Sequence, residues 1–312
     1  MLNAIQIVTA LFLMMAVGYY FAAKGILNET VATFISKLIV VVSVPASAID
    51  NMLRNFDKTM LGDAAIAACV SVGTILSCLA LAYGIVRVFR VQKGRRGVLT
   101  VMIACANTIF IGLPVSQALF GEAASAYVLI YDMGHALMFW TLGVYIMSRD
   151  GHEKQPFFSM KTLKKLLSPG LLGLLAAIIL VMLEVELPVF AAKTVSYFGG
   201  LCTPLALLYV GYVLKKTGLK QLRFGKDMLL VILGRIVILP ALFLLTTKLC
   251  GLPQDMSKVF VAVAAMPVMN SIPIVAGEYG SDDAFSSQCL AVTMILSLLT
   301  MPLLMLLFQY IF

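Results

Sequence analysis

The sequence predicts an all-α polytopic membrane protein whose ten transmembrane helices form two inverted repeats of five. The first observation is composition, because 61% of the residues are hydrophobic and only 12% are charged, whereas soluble domains carry about 25% charged residues. The second is length: apolar stretches of roughly 20 residues, enough for one helix to cross a bilayer, recur along the whole chain. The third is a repeated pattern of prolines.

Ten spans are predicted, with bounds good to a few residues. In chain order they cover residues 4–23, 31–53, 61–86, 98–120, 123–148, 168–187, 191–214, 227–250, 256–279 and 283–311. The first apolar run has no basic residues ahead of it and exceeds the length of a signal-peptide core, so we interpret it as a span.

The proline positions indicate an internal duplication. The same number of residues separates Pro45 from Pro204 as separates Pro114 from Pro273. Pro114 begins Pro-Val-Ser-Gln-Ala-Leu-Phe-Gly, and Pro273 begins Pro-Ile-Val-Ala-Gly-Glu-Tyr-Gly, so both are followed by five residues, an aromatic residue and glycine. We therefore predict a first repeat at 1–148, a cytoplasmic linker at 149–167 and a second repeat at 168–312.

The basic residues predict how these repeats are oriented. Lys and Arg cluster after spans three, five and seven, and are sparse on the other side. The positive-inside rule places the rich side in the cytoplasm, so both termini face outward. Because five is an odd number, the second repeat must be inverted relative to the first, an arrangement typical of secondary transporters.

Spans four and nine are expected to be broken, with proline, Asn and a hydroxyl residue near the middle of each. Proline removes a backbone N–H and clashes with the preceding turn, and freed backbone groups survive in a membrane only where protein or a water-filled cavity covers them. We expect the two broken spans to cross and bind an anion. The predicted substrate-binding residues are Asn107, Thr108, Pro114, Asn270, Ser271 and Pro273. The alternative is that these prolines only kink packed helices.

Three ionisable residues are candidates for coupling or gating. Asp132 and His135 share one face of span five near its middle, and charged residues inside a membrane are rare and commonly functional. They form either a proton relay or a structural hydrogen-bonded pair. Arg235 in span eight attracts an anion, pairs with Asp132, or extends its side chain to the membrane surface. Asp50 and Asn51 are expected at the membrane interface.

Other activities lack a signature. The chain contains no His-Glu-x-x-His, Gly-x-Ser-x-Gly or phosphate-binding loop motif, so we predict neither an enzyme nor a cofactor. The six cysteines lie in apolar spans without a Cys-x-x-Cys pair, which predicts core packing and no metal site. The placement of the basic residues accounts for the net charge without nucleic acid.

The motifs resemble those of the auxin efflux carrier family, the bacterial relatives of the plant PIN-formed exporters. The resemblance spans nearly the whole chain and is most specific at Asn107-Thr108-Ile-Phe-Ile-Gly-Leu-Pro114; Ala265 to Gly280 and Leu296 to Pro302 also fit. It implies a fold similar to bile acid sodium symporters, with spans 1, 2, 6 and 7 as scaffold and dimer interface. Spans 3–5 and 8–10 would form the transport domain, in which Asn107 contacts the substrate carboxylate.

The leading hypothesis is accordingly a secondary active or facilitative carrier in a bacterial cytoplasmic membrane. It would carry a small organic anion such as malate, malonate or an auxin-like acid, as a homodimer and by an elevator-like movement. The short linker and Met269-Asn270-Ser271 depart from the plant pattern, which favours a small carboxylate. The alternatives are a gated anion channel and, ranked last, a membrane sensor. The sequence leaves open coupling to protons, to sodium or to neither.

Overall fold

The computed structural model describes residues 2–151, 168–217 and 224–311, and its regular structure within those ranges is helical. Residues 152–167, most of the predicted linker, lie outside the described part. The helices are α1 (Leu2–Ala23), α2 (Glu29–Asn55), α3 (Lys58–Val88), α4 (Arg96–Ala104), α5 (Thr108–Phe120), α6 (Ala124–Met138, continued by Phe139–Gly143 and Val144–Ser148), α7 (Pro169–Met182), α8 (Val189–Thr217), α9 (Lys226–Leu249), α10 (Gln254–Ala264), α11 (Ser271–Tyr279) and α12 (Asp283–Ile311).

Several of these helices have the length and composition of membrane spans. Four of them, α2, α3, α8 and α9, are long and apolar enough to cross a bilayer, and α12 is a fifth if its two parts, bent by 48°, count as one span. The predicted class of helical polytopic protein is therefore confirmed, whereas the arrangement of ten spans as two inverted repeats stays a prediction.

The helices pack in two sets of contacts that position the site. In one, α1 lies along α8 and α2 contacts α7; in the other, α3 contacts α4 and α6, and α9 contacts α3 and α10. Close approach of α1 and α8 depends on glycine. A Cβ atom on Gly18 would lie 2.2 Å from the Leu208 carbonyl oxygen, and one on Gly211 would lie 2.1 Å from the Met15 carbonyl oxygen.

The helix breaks lie ahead of Pro114 and Pro273, the prolines to which the sequence assigned them, although another proline of the motif, Pro267, lies within the second gap. The gaps are residues 105–107, ahead of Pro114, and 265–270, ahead of Pro273. Pro114 instead follows the π-helical turn Thr108–Gly112, and a wider turn relieves the clash of proline with the carbonyl four residues earlier. Pro273 lies in the first turn of α11, where the backbone N–H has no helical acceptor to lose.

Candidate functional site

The two gaps meet each other. The Asn107 backbone N–H donates to the Pro267 carbonyl over 2.9 Å, and the Met269 N–H donates to the Cys105 carbonyl over 3.2 Å. These bonds flank an antiparallel bridge between Ala106 and Val268. The segment α4–α5 therefore crosses α10–α11 at the points where both are unwound, and the backbone groups freed by one break are partly satisfied by the other.

A cavity of about 310 Å³ opens at this crossing. It brings together Asn107, Thr108, Asn270 and Ser271, four of the six predicted substrate-binding residues, with Asp132. The other lining residues are Val40, Val44, Ile109, Phe110, Ala136, Trp140, Ser168, Pro169, Gly170 and Met269.

Two asparagine side chains in the wall of this cavity carry amide atoms that have no hydrogen-bond partner among the described residues. Asn107 caps α5, because its Oδ1 accepts from the Phe110 N–H over 3.3 Å, as expected for Asn at a helix N-cap. Its buried Nδ2 has no partner among the described residues, and neither do the buried Oδ1 and Nδ2 atoms of half-buried Asn270. Buried polar groups are normally paired, so these groups are available to a ligand.

The helix ends around the crossing fall into two groups of opposite partial charge. α5 begins at Thr108 and α11 at Ser271, beside the cavity, and a helix N-terminus carries partial positive charge. α4 ends at Ala104 and α10 at Ala264, and these C-terminal ends carry the opposite partial charge. The N-terminal ends therefore face the cavity and favour an anion there.

Arg235 lies at the C-terminal ends and not in the cavity. Its side chain is 1% exposed, so it does not extend to the membrane surface, one of the three interpretations of the sequence. Its guanidinium donates to the carbonyls of Ile103, Ala264 and Met266 over 2.6 to 3.1 Å. Pairing with Asp132, a second interpretation, is not among these bonds.

Asp132 lies in the cavity wall, and His135 lies beside it in the core. The Thr108 hydroxyl donates to Asp132 Oδ1, and His135 Nδ1 lies 3.4 Å from the same oxygen without the alignment of a hydrogen bond. His135 is fully buried, whereas a quarter of the Asp132 side chain is exposed. α6 packs closely against α3 here: a Cβ atom on Gly134 would lie only 2.7 Å from Ser71 Oγ.

The two prolines predicted at the substrate site, Pro114 and Pro273, do not line the crossing cavity. Pro114 lines a second cavity of about 590 Å³ between α2, α5 and α8, and Pro273 is half-buried in α11. The second cavity is polar; its lining includes Asp50, Asn51, Arg54, Gln117, Glu122, Ser196 and Thr203. Asn51, expected at the interface, is 4% exposed. Both α2 and α5 pass from the first cavity to the second along the chain.

Sequence reasoning missed Trp140 and Ser168 in the first cavity. Trp140 had a signal, because Asp132, Ala136 and Trp140 follow each other at four-residue spacing and so share one helix face. Ser168 had none, because it caps α7, which is distant in the sequence from the crossing.

Comparison with known proteins agrees with a transport function. Residues 4–305 match the family described as membrane transport protein. An uncharacterized transporter of Methanothermobacter thermautotrophicus is 26% identical over 97% of both chains. An uncharacterized transporter of Methanocaldococcus jannaschii is 23% identical over 96% of both chains. The chain therefore belongs to the membrane transport protein family, the family of the auxin efflux carriers, and is a multi-pass membrane protein.

Proposed function

We propose that the chain is a secondary carrier, active or facilitative, that binds the carboxylate of a small organic anion at the crossing of α4–α5 and α10–α11. The observation that carries this proposal is that the amide Nδ2 groups of Asn107 and Asn270, in the wall of the crossing cavity, have no partner among the described residues. A carboxylate accepts hydrogen bonds through both of its oxygens, so it complements two converging amide donors.

The charge of the surroundings supports an anionic ligand. The N-terminal ends of α5 and α11 lie at the cavity and attract negative charge. Arg235 already compensates the C-terminal ends of α4 and α10 through its hydrogen bonds to Ile103 and Ala264, so these ends do not cancel that attraction. Ser271 adds a hydroxyl donor beside the amides, whereas the Thr108 hydroxyl already donates to Asp132.

The size of the cavity favours a small acid. Ligand pockets typically measure about 300–1,000 Å³, and the crossing cavity, at about 310 Å³, is at the small end of that range. A mono- or dicarboxylate of a few carbons, such as malate or malonate, fits this volume better than a bulky amphipathic anion does.

Two cavities along the same helices support alternating access. α1, α2, α7 and α8 would form a scaffold that also carries the homodimer interface, and the remaining helices would move against it. The side chains of Gln117 in α5 and Thr203 in α8 form a hydrogen bond beside the second cavity. Such a contact across the moving boundary would hold one state of the cycle and open in the other.

Asp132 and His135 are the proposed coupling pair. The position of Asp132 supports this role, because its carboxylate contacts Thr108 of the crossing and His135 of the buried core. A proton bound there would reach the substrate site through one hydroxyl. The proposed location is a bacterial cytoplasmic membrane, with both termini outside.

Currents recorded from proteoliposomes on a solid-supported membrane would test the proposal. A panel of mono- and dicarboxylates is applied at two pH values to the unchanged protein and to Asn107→Ala. A saturable current for one acid that disappears in the variant supports the carboxylate site. A current that rises linearly with concentration and survives in Asn107→Ala indicates a gated anion channel instead.

A further inference from the structure

Arg235 is a buried cation that bonds only to backbone in the contacts the structure gives it. The residue lies about 14 Å along α9 from Lys226, at 1.5 Å per residue, close to the middle of the helix. Nε donates to Met266 O, Nη1 to Ile103 O, and Nη2 to the carbonyls of Ala264 and Met266. An isolated buried charge is costly, so these carbonyls must supply the compensation.

The carbonyls of Ile103 and Ala264 are free because the helices break after them. In an unbroken helix the Asn107 N–H would donate to Ile103, but it donates to Pro267 instead. The Val268 N–H would donate to Ala264, but it donates to Thr293 Oγ1 over 3.2 Å. Arg235 therefore satisfies one orphan acceptor in each of the two broken segments and ties them together.

The positive charge of Arg235 matches in size the combined partial negative charge of the two helix ends. Each helix C-terminus is equivalent to about −0.5 elementary charge, so the ends of α4 and α10 together approach one negative charge. One guanidinium neutralises both. Its planar fork of donors also reaches carbonyls on two segments at once, a geometry that suits arginine better than lysine.

Two features of α9 hold the guanidinium in this place. A Cβ atom on Gly234 would lie 2.6 Å from Ile103 Cγ1, so glycine allows α9 to approach the end of α4. The π-helical turn Gly234–Ile238 begins at the same point, and such turns occur frequently at functional sites.

In carriers with broken helices, unwound carbonyls and C-terminal half-helix ends are where a coupling cation binds. We propose that Arg235 is a permanent cation in that position, so that the crossing is held together without a bound inorganic cation and the transport cycle is independent of sodium. The cycle itself rests on the proposed carrier function, whereas the role of Arg235 in holding the crossing does not.

Thermal unfolding of purified protein tests the proposal without any substrate. The unchanged protein should have the same Tm in sodium chloride and in choline chloride at equal ionic strength. Arg235→Ala should have a lower Tm, and added sodium or methylguanidinium should raise that Tm but not the Tm of the unchanged protein, because only the variant exposes uncompensated carbonyls. Arg235→Lys keeps the charge and should lie between the two.

Several results would overturn the proposal. One is a Tm of the unchanged protein that rises with sodium, and another is an Arg235→Ala Tm equal to that of the unchanged protein. A third is a variant that responds to neither cation. If Arg235→Ala does not fold, two measurements still test the proposal: the unchanged protein should have a Tm that does not respond to sodium, and Arg235→Lys should have a lower Tm than the unchanged protein. Loss of transport by the unchanged protein when choline replaces sodium would also contradict it, whereas absence of carboxylate transport in both salts would count against the carrier function alone.

Discussion

Truncation of Asn107 separates substrate binding from helix capping, because a matched residue makes the same cap elsewhere. Asn107 Oδ1 accepts from the Phe110 N–H at the start of α5, and Asn28 Oδ1 accepts from the Val31 N–H over 3.1 Å at the start of α2. Asn28 is exposed and is not among the residues that line the crossing cavity. Each Asn→Ala change should lower the free energy of unfolding by about 0.5–2 kcal/mol through loss of the cap.

Only Asn107→Ala should weaken ligand binding. Its Nδ2 has no partner in the described part of the chain, so the donor is free for a carboxylate, and a hydrogen bond to a charged group contributes about 1.5–3 kcal/mol. At about 1.4 kcal/mol per tenfold change, the Kd should rise by roughly 10- to 150-fold. Asn28→Ala should leave the Kd unchanged.

The chain supplies its own reporter for this measurement. Trp140 is the one tryptophan in the sequence and it lines the crossing cavity, so its fluorescence can be titrated with each acid. Equal Kd values for Asn107→Ala and Asn28→Ala would refute the assignment of the amide to the carboxylate, even if both variants lost stability.

Three further predictions concern coupling, packing and movement. Asp132→Asn should lower the proton flux that accompanies acid uptake, measured with a pH-sensitive dye inside the vesicles; an unchanged ratio of protons to acid would remove Asp132 from coupling. Gly211→Ala should cost about 1–3 kcal/mol of stability by overpacking α1 against α8, whereas Gly84→Ala, which meets open space within α3, should not lower the Tm. In a protein without the exposed Cys69 and Cys250, the pair Gln117→Cys and Thr203→Cys should stop transport when a short thiol-reactive linker joins the two new thiols. Continued transport by the linked protein would argue against movement of α5 past α8.

The sequence was informative where local chemistry decides the structure. Apolar runs of bilayer length predicted the helices, and Asn107 and Asn270 were found because Asn and a hydroxyl residue recur beside the prolines. Pro114 and Pro273 were less informative, because Pro114 follows a π-helical turn within α5 and Pro273 lies in the first turn of α11. Whether a proline breaks a helix depends on the turn that precedes it.

The position of Arg235 could not be predicted from α9 alone. Its partners are carbonyls that lose their helical donors only because two distant segments cross. The same limit applies to Ser168 of α7 in the cavity wall, which no local pattern connects to the crossing.

Counterflow in proteoliposomes distinguishes a carrier with a carboxylate site at the crossing from a channel. Vesicles preloaded with the unlabelled acid that changes Trp140 fluorescence are diluted into a trace of the labelled acid. Preloading should accelerate uptake of label by the unchanged protein and not by Asn107→Ala. Uptake that preloading does not accelerate, or acceleration that persists in Asn107→Ala, would contradict a carrier that binds its carboxylate substrate at the crossing of the two broken helices.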